Sequence, residues 1–214
     1  MKRLCSYLVT VLLLAGVPST APAEIIVFYL QAEDFSNLSV TEPATAQVRS
    51  TYDYEGTFTG TFISQAFSLS DGRYLYLYQV DNQGSAILEL VWVSPFYSPD
   101  LESGAGYLTG DPPEGCLAGG IIPPGQTYLT TLYKLSYQYP SYLIPKAHVG
   151  PGEHTVALYV ISPASPTMGV GQVINSGTDS VEVPVAVPDP ASVVLLTAGG
   201  GLSIWVRRRR RASR

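Results

Sequence analysis

Apolar and polar residues alternate along much of the chain with a period near two, the spacing of a strand that buries one face. Such runs cover residues 24–30 (EIIVFYL), 52–64 (YDYEGTFTGTFIS), 74–80 (YLYLYQV), 86–93 (AILELVWV), 127–139 (TYLTTLYKLSYQY), 154–162 (HTVALYVIS) and 180–187 (SVEVPVAV). Turn-forming pieces such as Ser70-Asp71-Gly72 and Asp81-Asn82-Gln83-Gly84 separate some of them. In the run 74–80, Tyr74, Tyr76 and Tyr78 share one face, and Leu75 and Leu77 take the other. The run 86–93 follows through residues 81–85, either as a hairpin or as a connection that crosses between sheets. His154 starts a strand whose alternation continues through Val156, Leu158 and Val160, and Asp53 and Glu55 share one strand face.

No amphipathic helix of ordinary length interrupts this pattern. Seven or more strands with turn signals between them predict an all-β fold. The expected form is a single antiparallel β-sandwich of the immunoglobulin-like or jelly-roll-like kind. Residues 94–124 show no clear strand periodicity and carry Pro95, Pro99, Pro112, Pro113, Pro123 and Pro124, so they are read as an extended surface loop.

The two ends of the chain break the pattern in opposite ways. At the start, Lys2 and Arg3 precede an apolar core from about Leu4 to Val17, and Ala21-Pro22-Ala23 supplies the small-x-small site of a secretory signal peptide. Cleavage is expected after Ala23. A first transmembrane helix is the competing reading, but the apolar core is shorter than the roughly 20 residues needed to cross about 30 Å of hydrocarbon.

At the other end, Ala191 to Val206 is a stretch of sixteen uncharged residues. As a helix it measures about 24 Å at 1.5 Å per residue, a short span that a thin bilayer or snorkelling arginines can accommodate. Trp205 would sit at the interface, and Arg207, Arg208, Arg209, Arg210 and Arg211 form a cytoplasmic stop signal by the positive-inside rule. With an N-terminal signal peptide, the topology is domain outside, tail inside. Pro188 and Pro190 hold the residues just before this span extended and accessible, and Ser192 is placed to cap the helix that follows. The expected organisation is a signal peptide over residues 1–23, one ectodomain over 24–187, and a tail over 188–214 with its helix at about 191–206.

Pro188-Asp189-Pro190-Ala191-Ser192, a short glycine-interrupted apolar helix and the arginine cluster together resemble the PEP-CTERM sorting signal of Gram-negative bacteria. That resemblance covers only the tail. It implies an inner-membrane precursor that the secretion machinery exports. Exosortase, a membrane-embedded cysteine-protease-like enzyme, would then cut it for release or transfer to the cell surface. The family's tripeptide is usually Pro-Glu-Pro; Asp189 keeps the carboxylate one methylene shorter. The alternative is an ordinary single-pass anchor that is never cut. The run YLYLYQV with the Asp81-Asn82 that follows it also resembles a tyrosine-rich strand, ending in Gln-Val-Asp-Asn, of other PEP-CTERM ectodomains, a likeness that implies no activity.

Charge and cysteine content narrow the classes further. Between residues 24 and 187 only Arg49, Arg73, Lys134 and Lys146 are basic, against sixteen acids, a formal balance of −12. Such a surface repels phosphate backbones, which argues against nucleic acid as a partner. Removing the signal removes Cys5 and leaves Cys116 alone, so the ectodomain is expected to hold together without an intrachain disulfide.

Candidate chemistry is sparse. His148 and His154 flank the turn Gly150-Pro151-Gly152 without a convergent carboxylate motif and read as surface or strand-end histidines. Cys116 would act as a nucleophile only beside a base. The acids Glu33-Asp34, Asp100, Glu102, Asp111 and Glu114 fall in loops without the dense oxygen-ligand spacing of a calcium site. The resulting expectation is an exported, non-enzymatic cell-surface or matrix protein with no catalytic residue, metal or cofactor. Exposed tyrosines that stack on sugars suggest a carbohydrate-binding module for exopolysaccharide as the alternative, and a secreted hydrolase with a site split over loops is the third reading.

Overall fold

A computed structural model describes residues 25–28, 31–95, 104–121, 127–130, 134–139, 148–175 and 177–187. The expected signal peptide with Ala21 and Ala23, the motif from Pro188 to Ser192 and the arginines Arg207 to Arg211 lie outside the described residues. Within them the fold is all-β, with no α-helix and one short 3-10 turn at Phe35–Leu38.

The strands are β1 Ile25–Phe28, β2 Gln31–Glu33, β3 Val40–Pro43, β4 Val48–Tyr54, β5 Phe58–Leu69, β6 Tyr74–Asn82 and β7 Leu90–Ser94. The second half adds β8 Ala105–Leu108, β9 Thr127–Thr130, β10 Lys134–Gln138, β11 Glu153–His154, β12 Leu158–Ser162, β13 Pro166–Asn175 and β14 Gly177–Ala186. Six of them form one sheet in the order β1-β9-β10-β7-β13-β14, and every pairing in it is antiparallel. The other sheet runs β2-β8-β12-β6-β5-β3, with β4 also paired to β5 and β11 to β6.

Side chains from both sheets meet in one buried cluster. Phe62, Tyr76, Tyr78, Val80 and Leu158 come from the eight-stranded sheet, and Val91, Val93, Leu135, Tyr137, Val183 and Val185 from the six-stranded one. Each side chain of this size contributes about 1.5–3 kcal/mol on burial. Five of the largest fully buried side chains are tyrosines, Tyr52, Tyr76, Tyr78, Tyr137 and Tyr139. Three of their hydroxyls are used as fasteners: Tyr78 donates to Pro184 O at 2.7 Å, across to β14, Tyr76 to Ala164 O at 2.7 Å and Tyr52 to Asp81 O at 3.1 Å, whereas those of Tyr137 and Tyr139 have no partner among the described residues. Pro184 can sit in β14 because that strand is the sheet's edge.

The alternation of β6 puts Leu75 and Leu77 on the opposite face, where a second cluster forms with Phe67, Leu69, Leu108, Ala157 and Tyr159. Phe35 and Leu38 of the 3-10 turn pack over it. β6 is therefore buried on both faces.

Several sequence expectations change. The run 52–64 is two strands, not one, folded at Glu55 and Gly56, whose φ values of 54° and 68° give the left-handed pair of a tight hairpin turn. Glu55 consequently lies in the turn and does not share a strand face with Asp53. The run 127–139 likewise divides into β9 and β10. The strand expected from His154 breaks at Thr155, because Ile121 pairs there: its N–H donates to His154 O and its carbonyl accepts from Val156 N. The stretch 94–124 is not wholly a surface loop, since β8 lies within it with Ala105 and Leu108 buried. Of the two connections open for residues 81–85, the crossing one is found: β6 and β7 belong to different sheets.

Candidate functional site

One loop, residues 109–121, is laid over the outer side of the eight-stranded sheet and carries Asp111, Glu114 and Cys116. Its start is tied to β2 by Thr109, whose N–H donates to Glu33 O at 2.9 Å. Its middle is clamped by Gln79. That buried amide accepts from Leu117 N at 2.8 Å and donates to Leu117 O at 2.8 Å and Thr155 O at 2.9 Å. A lone buried amide that satisfies its polar atoms in this way fixes one position of the loop. On the β4 side, Gln47 donates to Glu114 O at 3.1 Å, and the Arg49 guanidinium donates to Gln47 Oε1 and Gly115 O.

Between this loop and the strands lies a cleft of about 370 Å³ lined by Pro43, Gln47, Gln65, Phe67, Pro113, Glu114 and Gly115. Its lining combines the Phe67 ring and two prolines with the side chains of Gln47, Gln65 and Glu114. Cys116 is half-buried beside it and unpaired. Burial pushes its thiol up, an effect that the Arg49 guanidinium partly offsets. A raised thiol is the opposite of an activated nucleophile.

The histidines are not brought together as an acid–base pair. His154 Nε2 donates to Ala118 O at 3.1 Å and so helps to hold the loop. His148 sits half-buried at the far side of the turn, its Nδ1 unpartnered among the described residues.

The acids are dispersed in the same way. Asp34 caps the 3-10 turn through Ser36, whose hydroxyl and backbone N–H lower its carboxyl below the usual range. Glu33 accepts from Asn37 at 2.9 Å, while Asp100 and Glu102 lie outside the described residues. Among the described residues, no group of three or more His, Cys, Asp or Glu converges as a metal site, and no helix is long and apolar enough to cross a membrane.

The tyrosines expected at the surface are largely inside. Tyr54 is the one exposed large aromatic among the described residues, at 36%. Two residues that carry much of the architecture were not named as functional from sequence. Asn82 donates to Ala86 O, Val149 O and Gly150 O, and Thr155 Oγ1 accepts from Val80 N. The available signal was the Gln-Val-Asp-Asn ending of the tyrosine-rich strand. Gln79 and Asn82 turn out to be the anchors of the loop and of the sheet crossing. Compared with known proteins, the chain matches no family model, and no curated protein or solved structure is significantly similar to it.

Proposed function

We propose that the chain is an exported, non-enzymatic cell-surface or matrix protein. Its ectodomain is a sandwich of the two sheets, and its tail is a sorting signal of the PEP-CTERM kind, cut by exosortase in a Gram-negative host. The tail itself carries this reading: a proline-flanked acid, Pro188-Asp189-Pro190, then an uncharged stretch of sixteen residues, then five consecutive arginines. A plain anchor has no use for the first element. The sandwich is supported by the one cluster into which both sheets send side chains. The position of the motif is supported by β14, which ends at Ala186, two residues before Pro188.

The test is processing in a host that has exosortase. Wild type is expected to lose Arg214 and appear outside the inner membrane. Asp189→Ala should insert normally and accumulate uncut, whereas neutral replacements at Arg207 to Arg211 should impair retention and orientation. A wild-type protein that keeps Arg214, with Asp189→Ala without effect, refutes the sorting signal in favour of the uncut anchor.

The cleft beside the loop favours exopolysaccharide as a ligand over a role for the tyrosines. Gln65 and Glu114 line the cleft together with the Phe67 ring, a mixed polar and apolar lining of the kind that a sugar with one polar edge and one apolar face requires. Binding of the host polysaccharide that Gln65→Ala abolishes supports this reading, and binding unaffected by that change excludes the cleft.

A further inference from the structure

The strand directions put both ends of the domain at one end of the six-stranded sheet. Its antiparallel registers bring Ile25, at the start of β1, into one cross-strand row with Thr130, Lys134, Ser94, Val170 and Glu182. β14 runs past that row and stops at Ala186, opposite Pro166. The turn at residues 70–73 lies at the same end, because Tyr74 pairs with Ser162 and Tyr76 reaches Ala164 O.

The two ends of the sheet differ in chemistry. Near the exit of β14, Met168 is 51% and Val170 43% exposed, and with Tyr54 they are the exposed large hydrophobics among the described residues. Among the described residues, Asp71 at this end pairs with Arg73 at 2.7 Å, and Glu42 and Glu182 are further acids towards it. The opposite end collects Asp53, Glu55, Asp81, Glu89, Glu153 and Asp179 around its turns and strand ends. From Met168 to Asn175 the strand rises about 23 Å at 3.3 Å per residue, more than twice the Debye length of about 8–10 Å at ordinary salt. The acidic end is thus screened from whatever the apolar end touches.

Four residues, 187 to 190, separate Ala186 from the uncharged stretch, at most about 14 Å of extended chain. Met168 and Val170 stand opposite Pro184 and Glu182, two and four residues before the exit.

We propose that in the tail-bearing precursor the sheet end at which β14 exits, with Met168 and Val170 beside it, rests on the phospholipid surface, and the far end with its carboxylates is turned away from it. The proposal depends on the reading of the tail as membrane-inserted. Two exposed apolar side chains then enter the headgroup boundary, where burial favours them. The tether is short, so the ectodomain stands on its apolar end and does not swing freely. Pro188, Asp189 and Pro190 are thereby held at the interface, within reach of an enzyme embedded in the membrane.

The experiment uses the full chain with Cys5→Ser and Cys116→Ser, reconstituted into vesicles of phosphatidylethanolamine and phosphatidylglycerol with or without brominated acyl chains. Single labels carrying the fluorophore NBD are placed by Met168→Cys, Glu89→Cys and Ser203→Cys, and circular dichroism confirms the β fold of each. The expected result is a blue-shifted emission at positions 168 and 203 that bromine quenches, with position 89 red-shifted and unquenched. Quenching at 203 without quenching at 168 overturns the docked face and leaves the inserted tail standing. Equal quenching at 168 and 89 also overturns it, since the domain then lies on the membrane without preference. A blue shift at 168 that bromine does not quench and that grows with protein density assigns the face to a second copy, again against the proposal. No quenching at 203 refutes the inserted tail, and the docked face with it.

Discussion

β6 and the β13–β14 ribbon are both long, paired and rich in apolar residues, yet they solve burial in different ways. β6 lies inside its sheet with Tyr76, Tyr78 and Val80 against the shared cluster and Leu75, Leu77 and Gln79 under the 3-10 turn and the loop 109–121. Both of its faces are filled by large side chains. In β13 the inward positions include Gly169 and Gly171, because the space is taken by Val185 and Val183 of β14 and by Phe62 of the other sheet. Its outward positions hold Met168 and Val170, exposed to solvent. Apolar residues mark the covered faces of one strand and the uncovered face of the other, so hydrophobicity alone does not tell inside from outside.

The largest expected difference between these regions is alkaline sensitivity. Burial raises Tyr78 and Tyr137 well above the ordinary 10.0, and raises Tyr52, Tyr76 and Tyr139 as well. A group whose folded value is raised stabilises the fold fully below its unfolded value, and that contribution is lost as pH climbs above it. Above pH 10 each such tyrosine withdraws about 1.4 kcal/mol per pH unit. Five acting together withdraw about 14 kcal/mol over two units, as much as the usual 5–15 kcal/mol stability of a domain. Unfolding followed by circular dichroism should therefore be sharp between about pH 10 and 12 and coincide with tyrosinate absorbance. Tyrosines that titrate gradually near pH 10 in a folded protein would mean that they are not buried.

A single residue gives the next effect. Tyr78→Ala removes a ring from the shared cluster and the bond to Pro184 O, and is expected to destabilise by about 3–5 kcal/mol in urea unfolding. Tyr78→Phe keeps the ring and should lose about 1 kcal/mol, the net worth of one hydrogen bond. If the two variants are equally damaging, the bond between sheets outweighs the packing.

On the ribbon the complementary change is an addition. A Cβ at Gly171 would stand 2.9 Å from Val183 Cγ1 and 3.1 Å from the Phe62 ring. Gly171→Ala should overpack the cluster and cost about 1–3 kcal/mol, in spite of the usual preference for alanine over glycine in strands. A stabilised variant would show that the sheets can part at that point.

The same contrast explains how much was legible in the sequence. The all-β class followed from period-two runs, and β6, β7, β12 and β14 were visible because their inward residues are large. β13 was not, since glycines occupy inward positions and the apolar side chains point out, which erases the alternation. β8 was hidden by glycine and by the prolines around it. The hairpin at Glu55 and Gly56 escaped because tyrosines at 52 and 54 and phenylalanine at 58 carry the period straight through the turn. Tyrosine misled in another sense: with a polar tip it reads as a surface residue, but at Tyr52, Tyr76 and Tyr78 a carbonyl accepts that tip and lets the ring go inside. Around the cleft, Gln47 precedes β4, Gln65 lies in β5 and Glu114 in the loop 109–121, and no local pattern joins them.

The smallest expected effect lies on the exposed face of the ribbon. Met168 is half in solvent, opposite Pro184 on an edge strand, and its removal opens no cavity. Met168→Ser should therefore change the unfolding free energy by less than about 0.5 kcal/mol, as surface substitutions do. The same substitution at an inward position of β6 would bury an unpaired hydroxyl and create a void, two mechanisms that each reach several kcal/mol. Equal urea midpoints and slopes for wild type and Met168→Ser would place the residue outside the folding core and leave its exposure to be explained by what it touches. A loss of 2 kcal/mol or more would instead make Met168 a packing residue, and the contrast between the covered strand and the uncovered one would disappear at that position.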